Sequence, residues 1–276
     1  MNASTPRPAV LARRVLPTAI VLGLMVSVFP GKSVVHAAVT YVQSRSATPQ
    51  IDMTVVTAAY ASAQVAGDLN VVVVGWNDSI AQVVSVADTK GNAYVRAVGP
   101  TVQTGFATQS IYYAANVVAA TAGSNTVTVT FNVAARFVDL RIVSYRGQAT
   151  VNPVDVVLAS QGDSSLSDSG AVTTTNANDL LVAGNLVQTS TGGPGTGFTR
   201  RLITSPDGDI LEDRLVAATG SYNATAPVGS GQWIMQMVAF RALAAGGDAQ
   251  AADDTDRPHA ERRVGVRDHP RMDRVD

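Results

Sequence analysis

The chain has 276 residues, a formal net charge of −1 and no cysteine. Residues 38–247 contain 23 of the 41 charged residues, ten basic and thirteen acidic, and this balance gives no positive footprint for nucleic acid. The three histidines, His36, His259 and His269, lie outside this body. The body therefore lacks the imidazole and thiol groups on which Ser-His-Asp hydrolases and most zinc or copper sites depend.

The first 37 residues have the three parts of a secretory signal peptide. Arginines precede an apolar run at residues 15–29, and compact residues lead to Ala37, after which cleavage is expected. An uncleaved membrane anchor is the alternative. It is disfavoured because the run is shorter than the ~20 residues that span a bilayer, and because Pro30-Gly31 follows it. The prediction is a secreted or cell-surface protein with no membrane span after cleavage.

Residues 38–247 show the residue alternation of β-strands. Residues 126–131 (TVTVTF) alternate polar and apolar side chains, as a half-buried strand does. Residues 71–75 and 233–240 are apolar on both faces, which is typical of central strands. Asp139 and Arg141 alternate with apolar residues, and we expect them to pair on the solvent-facing side of their strand.

Turn sequences separate these segments, among them Gly67-Asp68, Lys90-Gly91-Asn92 and Pro206-Asp207-Gly208. Residues 54–66 are rich in alanine without a helical stripe, so they are left undecided between helix and strand. The pattern predicts an all-β fold, a single jelly-roll-like antiparallel β-sandwich over residues 38–247. Without disulfides the domain depends on a large apolar core, which ~210 residues can provide.

A weak internal repeat raises the alternative of two Ig-sized halves. Residues 67–71 (GDLNV) recur as 178–182 (NDLLV), and residues 142–147 (IVSYRG) recur as 237–242 (MVAFRA). Strands of narrow composition also resemble one another by chance. The short connection between residues 147 and 153 favours one packed domain.

Residues 248–276 differ from the body in composition. They carry charges of both signs and scarcely any apolar side chains. Burial within such a segment does not offset the conformational entropy that ordering costs. A disordered charged tail is therefore expected there.

The titratable residues of the body argue against catalysis. Glu212 and Asp213 are adjacent, so on a strand they face opposite ways and do not form the carboxyl pair of a glycosidase. A pair of aspartates is left as an alternative, although no local motif identifies one. Residues 192–197 (GGPGTG) lack the Lys-Ser/Thr of a phosphate-binding loop and are predicted to be a flexible loop between strands. The sequence therefore predicts that the protein is not an enzyme.

Calcium is the one cofactor that the sequence suggests. Asp207 and Asp209 flank Gly208, and Glu212 follows three residues later. Carboxylate and carbonyl oxygens are the ligands that calcium takes in proteins. The spacing is not that of an EF-hand, and Pro-Asp-Gly is also a common hairpin turn, so a turn without metal is the favoured interpretation.

A ligand site is predicted at Trp76, which follows the apolar segment 71–75. With Asn77 and Asp78 beside it, an exposed indole ring offers the aromatic face and polar groups that bind sugars. The alternative is that Trp76 belongs to the core, where large aromatic side chains are usually buried. Exposure of Trp76 beside a groove distinguishes the two.

Seven stretches of the body carry a family resemblance: 70–78 (NVVVVGWND), 91–94 (GNAY), 109–114 (QSIYYA), 125–131 (NTVTVTF), 152–156 (NPVDV), 173–181 (TTTNANDLL) and 212–214 (EDR). Together they resemble a β-sandwich module of exported bacterial multidomain proteins, often found beside fibronectin type III or Ig-like modules. The resemblance implies an extracellular location and a β-sandwich. It transfers no catalytic residue, because that family has no established activity. One departure is Ser144-Tyr145-Arg146-Gly147, where similar modules tend to read Glu-Tyr-Ser-Gly.

Three functions from different classes follow. The first is a secreted, non-catalytic binding or adhesion module, whose loops present Trp76, Asn77 and residues 191–197 to a glycan or cell-surface polymer. The second is a structural spacer or surface-layer component that has no small ligand. The third, which the residues support least, is a carboxylate-dependent glycan hydrolase.

Overall fold

The computed structural model describes residues 38–244, together with Met1. Residues 38–244 form fifteen β-strands and no α-helix, and they belong to one compact unit. The prediction of an all-β antiparallel β-sandwich is confirmed. This part of the chain contains no helix long and apolar enough to cross a membrane. The predicted signal peptide, residues 1–37, and the predicted tail, residues 248–276, lie outside the described residues.

Eight strands precede residue 147, and seven follow it. The first eight are β1 (Thr40–Ala47), β2 (Met53–Tyr60), β3 (Leu69–Trp76), β4 (Val83–Asp88), β5 (Val95–Gln103), β6 (Ala107–Ala114), β7 (Asn125–Ala135) and β8 (Asp139–Arg146). The other seven are β9 (Val154–Asp168), β10 (Val172–Thr173), β11 (Leu180–Val187), β12 (Thr199–Ile203), β13 (Ile210–Leu215), β14 (Ser221–Tyr222) and β15 (Thr225–Phe240).

These strands form two five-stranded sheets, each with an outer cover. The first sheet has the order β1-β8-β3-β6-β5, and the three-stranded sheet β2-β7-β4 covers its outer face. The second sheet has the order β12-β13-β11-β15-β9, and the pair β10-β14 lies over its outer face. All paired strands are antiparallel.

Apolar cores fill the spaces between the layers. The central core joins the inner faces of the two five-stranded sheets and includes Val71 of β3 and Val182 of β11. On the outer side of the first sheet Val72 packs against Val127 of the cover, and on the outer side of the second sheet Leu181 is buried. The central strands β3 and β11 are therefore buried along both faces.

The strand order shows that the two halves of the unit have equivalent topology. In the first half, the first strand β1 pairs with the last strand β8, and β8 pairs with β3, which begins at the leucine of the repeated Asp-Leu motif. In the second half, β9 pairs with β15 in the same way, and β15 pairs with β11, which begins at the leucine of the second motif. The register also agrees, since Leu69 lies opposite Tyr145 and Leu180 lies opposite Phe240. The repeat that the sequence left open therefore corresponds to a duplicated arrangement within one compact unit.

The two ends of the described body lie close together. The backbone N–H of Leu243 donates a hydrogen bond to the carbonyl oxygen of Gly147, at 2.8 Å. Gly147 is also packed against the carbonyl group of Ala38, so closely that a side chain at this position would collide with it. The chain therefore enters and leaves the body on the same side.

Most of the predicted elements are present. Residues 126–131 lie in β7 with alternating burial, and residues 71–75 and 233–240 lie in buried strands. The undecided segment 54–66 is mainly strand β2, which packs by one face on the first sheet. Gly67, Gly91 and Gly208 have positive φ, as the predicted turns require.

Candidate functional site

Trp76 lies in the core and not on an exposed platform. Its side chain is only 1% exposed, beneath the three-stranded cover, and its ring packs edge-on against Phe131 at 5.1 Å between centroids. Its Nε1–H donates to the carbonyl oxygen of Ala81 at 3.1 Å. The core alternative for Trp76 is therefore the observed one, because the cover sheet packs over the end of β3.

The two residues after Trp76 have different surroundings. Asp78 accepts backbone hydrogen bonds from Ala81 at 2.7 Å and from Arg136 at 3.0 Å, so its carboxylate fastens the loop that follows β3. Asn77 lines a separate cavity, described below. The predicted trio of Trp76, Asn77 and Asp78 thus does not present its side chains to one ligand.

A groove of about 290 Å³ nevertheless opens beside Trp76, between the loop after β3, the β4 edge and strands β5 and β6. Its buried floor is formed by Trp76, Thr108, Ser110 and Tyr112, and its exposed rim by Ser79, Gln82, Arg96 and Pro100. The groove exists because the cover has only three strands, which leave part of the five-stranded sheet uncovered. It joins an aromatic floor to polar groups at the rim.

Arg96 supplies the charge of this groove. It lies opposite Tyr112 in the pairing of β5 with β6. Burial raises the pKa of the Tyr112 hydroxyl, while the Arg96 guanidinium beside it acts in the opposite direction. The hydroxyl group is therefore neutral at physiological pH and is available as a hydrogen-bond donor and acceptor. None of the described residues that line the groove is Asp or Glu.

Sequence reasoning missed this groove because its walls come from separate segments. The available signal was the pair Tyr112-Tyr113, because neighbouring residues of a strand face opposite sides of the sheet. Tyr113 indeed packs in the central core, at 5.7 Å from Phe240, while Tyr112 faces the groove. No local pattern indicates that Arg96 lies beside Tyr112, since the pairing of β5 with β6 is irregular.

A second cavity, of about 220 Å³, lies where the two halves meet. Asn77 and Gln50 line it from the first half, and Asp207 and Asp209 line it from the second. Gln50 donates a hydrogen bond from its side-chain amide to Asp207 at 2.8 Å. This junction cavity is polar and is partly closed by that bond.

The three residues predicted to bind calcium do not form a ligand set. Asp209 accepts a hydrogen bond from the backbone of Val187, while Glu212 accepts one from the backbone of Gly195 on the other side of the sheet. No group of three or more acidic, histidine or cysteine side chains within residues 38–244 is arranged to hold a metal ion. The segment at Asp207 forms a turn, closed by backbone hydrogen bonds from the Thr204 N–H to the Asp209 carbonyl oxygen and from the Gly208 N–H to the Thr204 carbonyl oxygen.

The pairing of Asp139 with Arg141 is confirmed, but its predicted exposure is wrong. Arg141 Nε lies 2.7 Å from Asp139 Oδ1, and both side chains are fully buried. Arg141 Nη1 also donates to the carbonyl oxygens of Asn185 and Ile210, at 2.7 and 2.6 Å. The alternating pattern was correct, but the face that it marked is covered by the second sheet. Arg141 therefore joins the two halves.

A second buried ionic group lies at the start of β9. Burial, and then the neighbouring Asp155, raises the pKa of Asp179 to about 7. Burial also disfavours ionised Asp155, but hydrogen bonds from Thr175, Asp179 and Arg241 outweigh it and lower the pKa of Asp155 to about 2. The two carboxyl groups of this pair, which no motif revealed, are close enough for each to shift the pKa of the other, and both side chains are shielded from solvent. The pair therefore leaves no room for a glycosidic bond between the two carboxyl groups.

The glycine-rich segment 191–197 is anchored at Thr191 and Gly195, which are buried, and it is exposed at residues 192, 194, 196 and 197. The backbone N–H of Gly195 donates to Glu212 at 2.9 Å, and a side chain on Gly195 would collide with the backbone of Thr225. Burial raises the pKa of Glu212 to about 8. The glycines therefore permit a close approach over a buried, neutral carboxyl group.

The groove beside Trp76 is the candidate functional site. It differs from the two buried acidic groups in being open to solvent at its rim, and it differs from the junction cavity in having an aromatic floor. Its single charge has no acidic partner in the lining. Comparisons of the chain with protein-family models, with curated proteins and with solved structures find no match.

Proposed function

We propose that the chain is a secreted, non-catalytic binding module whose ligand is a glycan or a cell-surface polymer. The observation that carries the proposal is the groove, where the ring of Tyr112 lies below a rim of hydroxyl, amide and guanidinium groups. Sites for sugars combine apolar ring contacts with a few polar groups that fix orientation. A volume of about 290 Å³ suits one ring-sized group of a longer polymer.

The chemistry of the groove supports binding without catalysis. General acid–base catalysis needs a group that titrates near neutral pH at the reacting atoms. The described residues of the lining include no Asp, Glu or His, and the ionisable groups there are Arg96 and Tyr112. The acidic residues with raised pKa all lie outside the groove: Asp179, Asp207, Asp209 and Glu212.

Two features of the sequence support an extracellular location. The first is the leader that ends at Ala37. The second is the resemblance of the body to β-sandwich modules of exported bacterial proteins. A body without cysteine is compatible with this location, because its apolar cores provide the stability that small secreted domains take from disulfides.

A structural spacer is the second candidate, and the duplicated architecture favours it. Two halves that share a central core form a rigid unit suited to a structural role.

Blocking the groove tests the proposal. Ser79 is exposed at the rim, so Ser79→Trp places an indole in the groove without removing a core side chain. Ser165→Trp makes the same change at an exposed position of β9, away from the groove, and serves as the control. The purified protein is applied to a polysaccharide array. We expect ligands that bind the wild type and Ser165→Trp to be lost with Ser79→Trp. Absence of any retained polymer, or equal retention by both variants, contradicts the proposal.

A further inference from the structure

The rim charge of the groove has no partner within the described part of the chain. Four ion pairs occur there, and each uses another arginine: Arg141 with Asp139, Arg146 with Asp68, Arg201 with Asp213 and Arg241 with Asp155. Arg96 is exposed on the edge strand β5 and contacts the neutral hydroxyl group of Tyr112. Its positive charge is therefore available to a ligand.

Guanidinium groups recognise particular anions. The planar fork of an arginine matches a carboxylate, which it binds through two parallel hydrogen bonds. The exposed neighbouring groups of this groove are the hydroxyl of Ser79 and the amide of Gln82, and such groups exchange hydrogen bonds with sugar hydroxyls. The Tyr112 ring adds an apolar surface against which a sugar ring can pack.

We propose that the groove selects an acidic glycan, in which Arg96 binds the carboxylate of a hexuronate ring that lies over Tyr112. This inference rests on the proposed function and adds the class of ligand. Neutral sugars fit the same space but leave the guanidinium group without a counter-charge. In this proposal Arg96 selects sugars that carry a carboxylate, and the aromatic floor provides the surface on which the sugar ring lies.

The second half of the unit provides a matched position. Arg200 lies opposite Glu212 in the pairing of β12 with β13, as Arg96 lies opposite Tyr112 in the pairing of β5 with β6. Both arginines are exposed on equivalent edge strands. In the second half, however, the corresponding inner position holds Glu212, and Gly195 packs over it. Arg200 thus has the same charge, exposure and strand position as Arg96, but the residue opposite it is covered by Gly195.

The test compares two forms of one polymer. Binding of the purified protein to polygalacturonate and to fully methyl-esterified polygalacturonate is measured by affinity electrophoresis at constant ionic strength. We expect the charged polymer to bind about tenfold or more tightly than the ester, because a charge-assisted hydrogen-bonded pair is lost on esterification. Arg96→Gln is expected to lose a similar factor, while Arg200→Gln keeps the wild-type affinity. Free galacturonate is expected to compete with polygalacturonate for binding, whereas glutamate at equal concentration is expected not to compete.

The outcomes separate the two proposals. Equal binding of polygalacturonate and its methyl ester, blocked by Ser79→Trp, overturns the acidic-glycan proposal and leaves the binding function standing. Equal losses from Arg96→Gln and Arg200→Gln overturn it as well, since attraction is then general to the surface. Competition by glutamate as strong as that by galacturonate overturns the sugar ring as part of the ligand. Failure of both polymers, with no polysaccharide retained on the array, contradicts the proposed function itself. Thermal unfolding of each variant confirms that it is folded.

Discussion

The carboxyl group of Asp179 lies beside that of Asp155, and burial together with this neighbour raises the pKa of Asp179 to about 7. In the first half the equivalent of Asp179 is Asp68, whose carboxylate forms a two-pronged ion pair with Arg146. In the second half the matching arginine, Arg241, reaches Asp155 instead, at 3.3 Å. One arginine therefore faces two carboxyl groups, and Asp179 keeps its proton below about pH 7.

This arrangement predicts that the protein becomes less stable as the pH rises toward neutrality. The pKa of Asp179 is about 7 in the folded protein, against an ordinary value of 3.8. Between these values the folded state retains a proton that the unfolded state has lost, so the free energy of unfolding falls as pH rises from about 4 to about 7. Asp179→Asn keeps a neutral donor toward Asp155 and removes the titration. The variant is expected to gain stability over wild type steadily across that window, as urea midpoints at successive pH values would show.

Asp163→Asn, at an exposed position of β9, is the control for this experiment and is expected to follow the wild-type pH profile. Glu212, with a pKa of about 8, acts in the same direction up to a higher pH, so Asp179→Asn reduces the pH dependence without abolishing it. Superimposable profiles for wild type and Asp179→Asn would show that Asp179 is ionised in the folded protein.

Local sequence patterns accounted for the strands and the turns. Residues 126–131 alternate polar and apolar side chains because only one face of their strand is buried. Residues 71–75 are apolar throughout because both faces of their strand are buried. Gly67 and Gly208 mark turns because their positive φ is costly for other residues. The repeated Asp-Leu motifs also align at the same register, so even the duplication has a trace in the sequence.

What escaped prediction depends on contacts between distant segments. Asp139 and Arg141 carry the polar half of an alternating pattern, and such a pattern normally marks a face in solvent. Here the second sheet covers that face, and the distant carbonyl groups of Asn185 and Ile210 satisfy the guanidinium group. The groove escaped for the same reason, because Arg96 meets Tyr112 only through the pairing of two strands and the narrowness of the cover.

The buried position of Arg141 predicts a large effect on stability. Arg141→Met leaves the Asp139 carboxylate buried without its partner, and loss of one member of a buried ion pair costs about 3–5 kcal/mol of unfolding free energy. Adding Asp139→Asn to Arg141→Met is expected to recover part of that loss, because the uncompensated charge is removed. Arg45→Met, at an exposed position of β1, is expected to change stability by less than about 0.5 kcal/mol. Urea unfolding monitored by circular dichroism measures all four proteins, and equal effects at Arg141 and Arg45 would refute the buried cross-link.

Substitution of Trp76 is expected to lower stability, and this effect is independent of ligand binding. The ring is 1% exposed and packs on Phe131, so Trp76→Ala creates a cavity in the outer core of the first half. Truncation of a buried tryptophan costs about 3–5 kcal/mol. Thermal unfolding of Trp76→Ala is therefore expected at a markedly lower temperature, whatever the protein binds. Trp76→Phe is expected to lose less, and an unchanged melting temperature for Trp76→Ala would mean that the ring is not a core residue.

Two glycines of one loop predict opposite results for the same substitution. A side chain at Gly195 would collide with the backbone of Thr225, whereas nothing lies within 4 Å of the corresponding position at Gly193. Gly195→Ala must therefore displace the loop and weaken the hydrogen bond from Gly195 to Glu212, and overpacking of this kind costs about 1–3 kcal/mol. Gly193→Ala is expected to be neutral, or to stabilise by about 0.4–1 kcal/mol through the unfolded state. Urea midpoints of the two variants measure the difference, and equal effects would mean that residues 191–197 do not pack over Glu212.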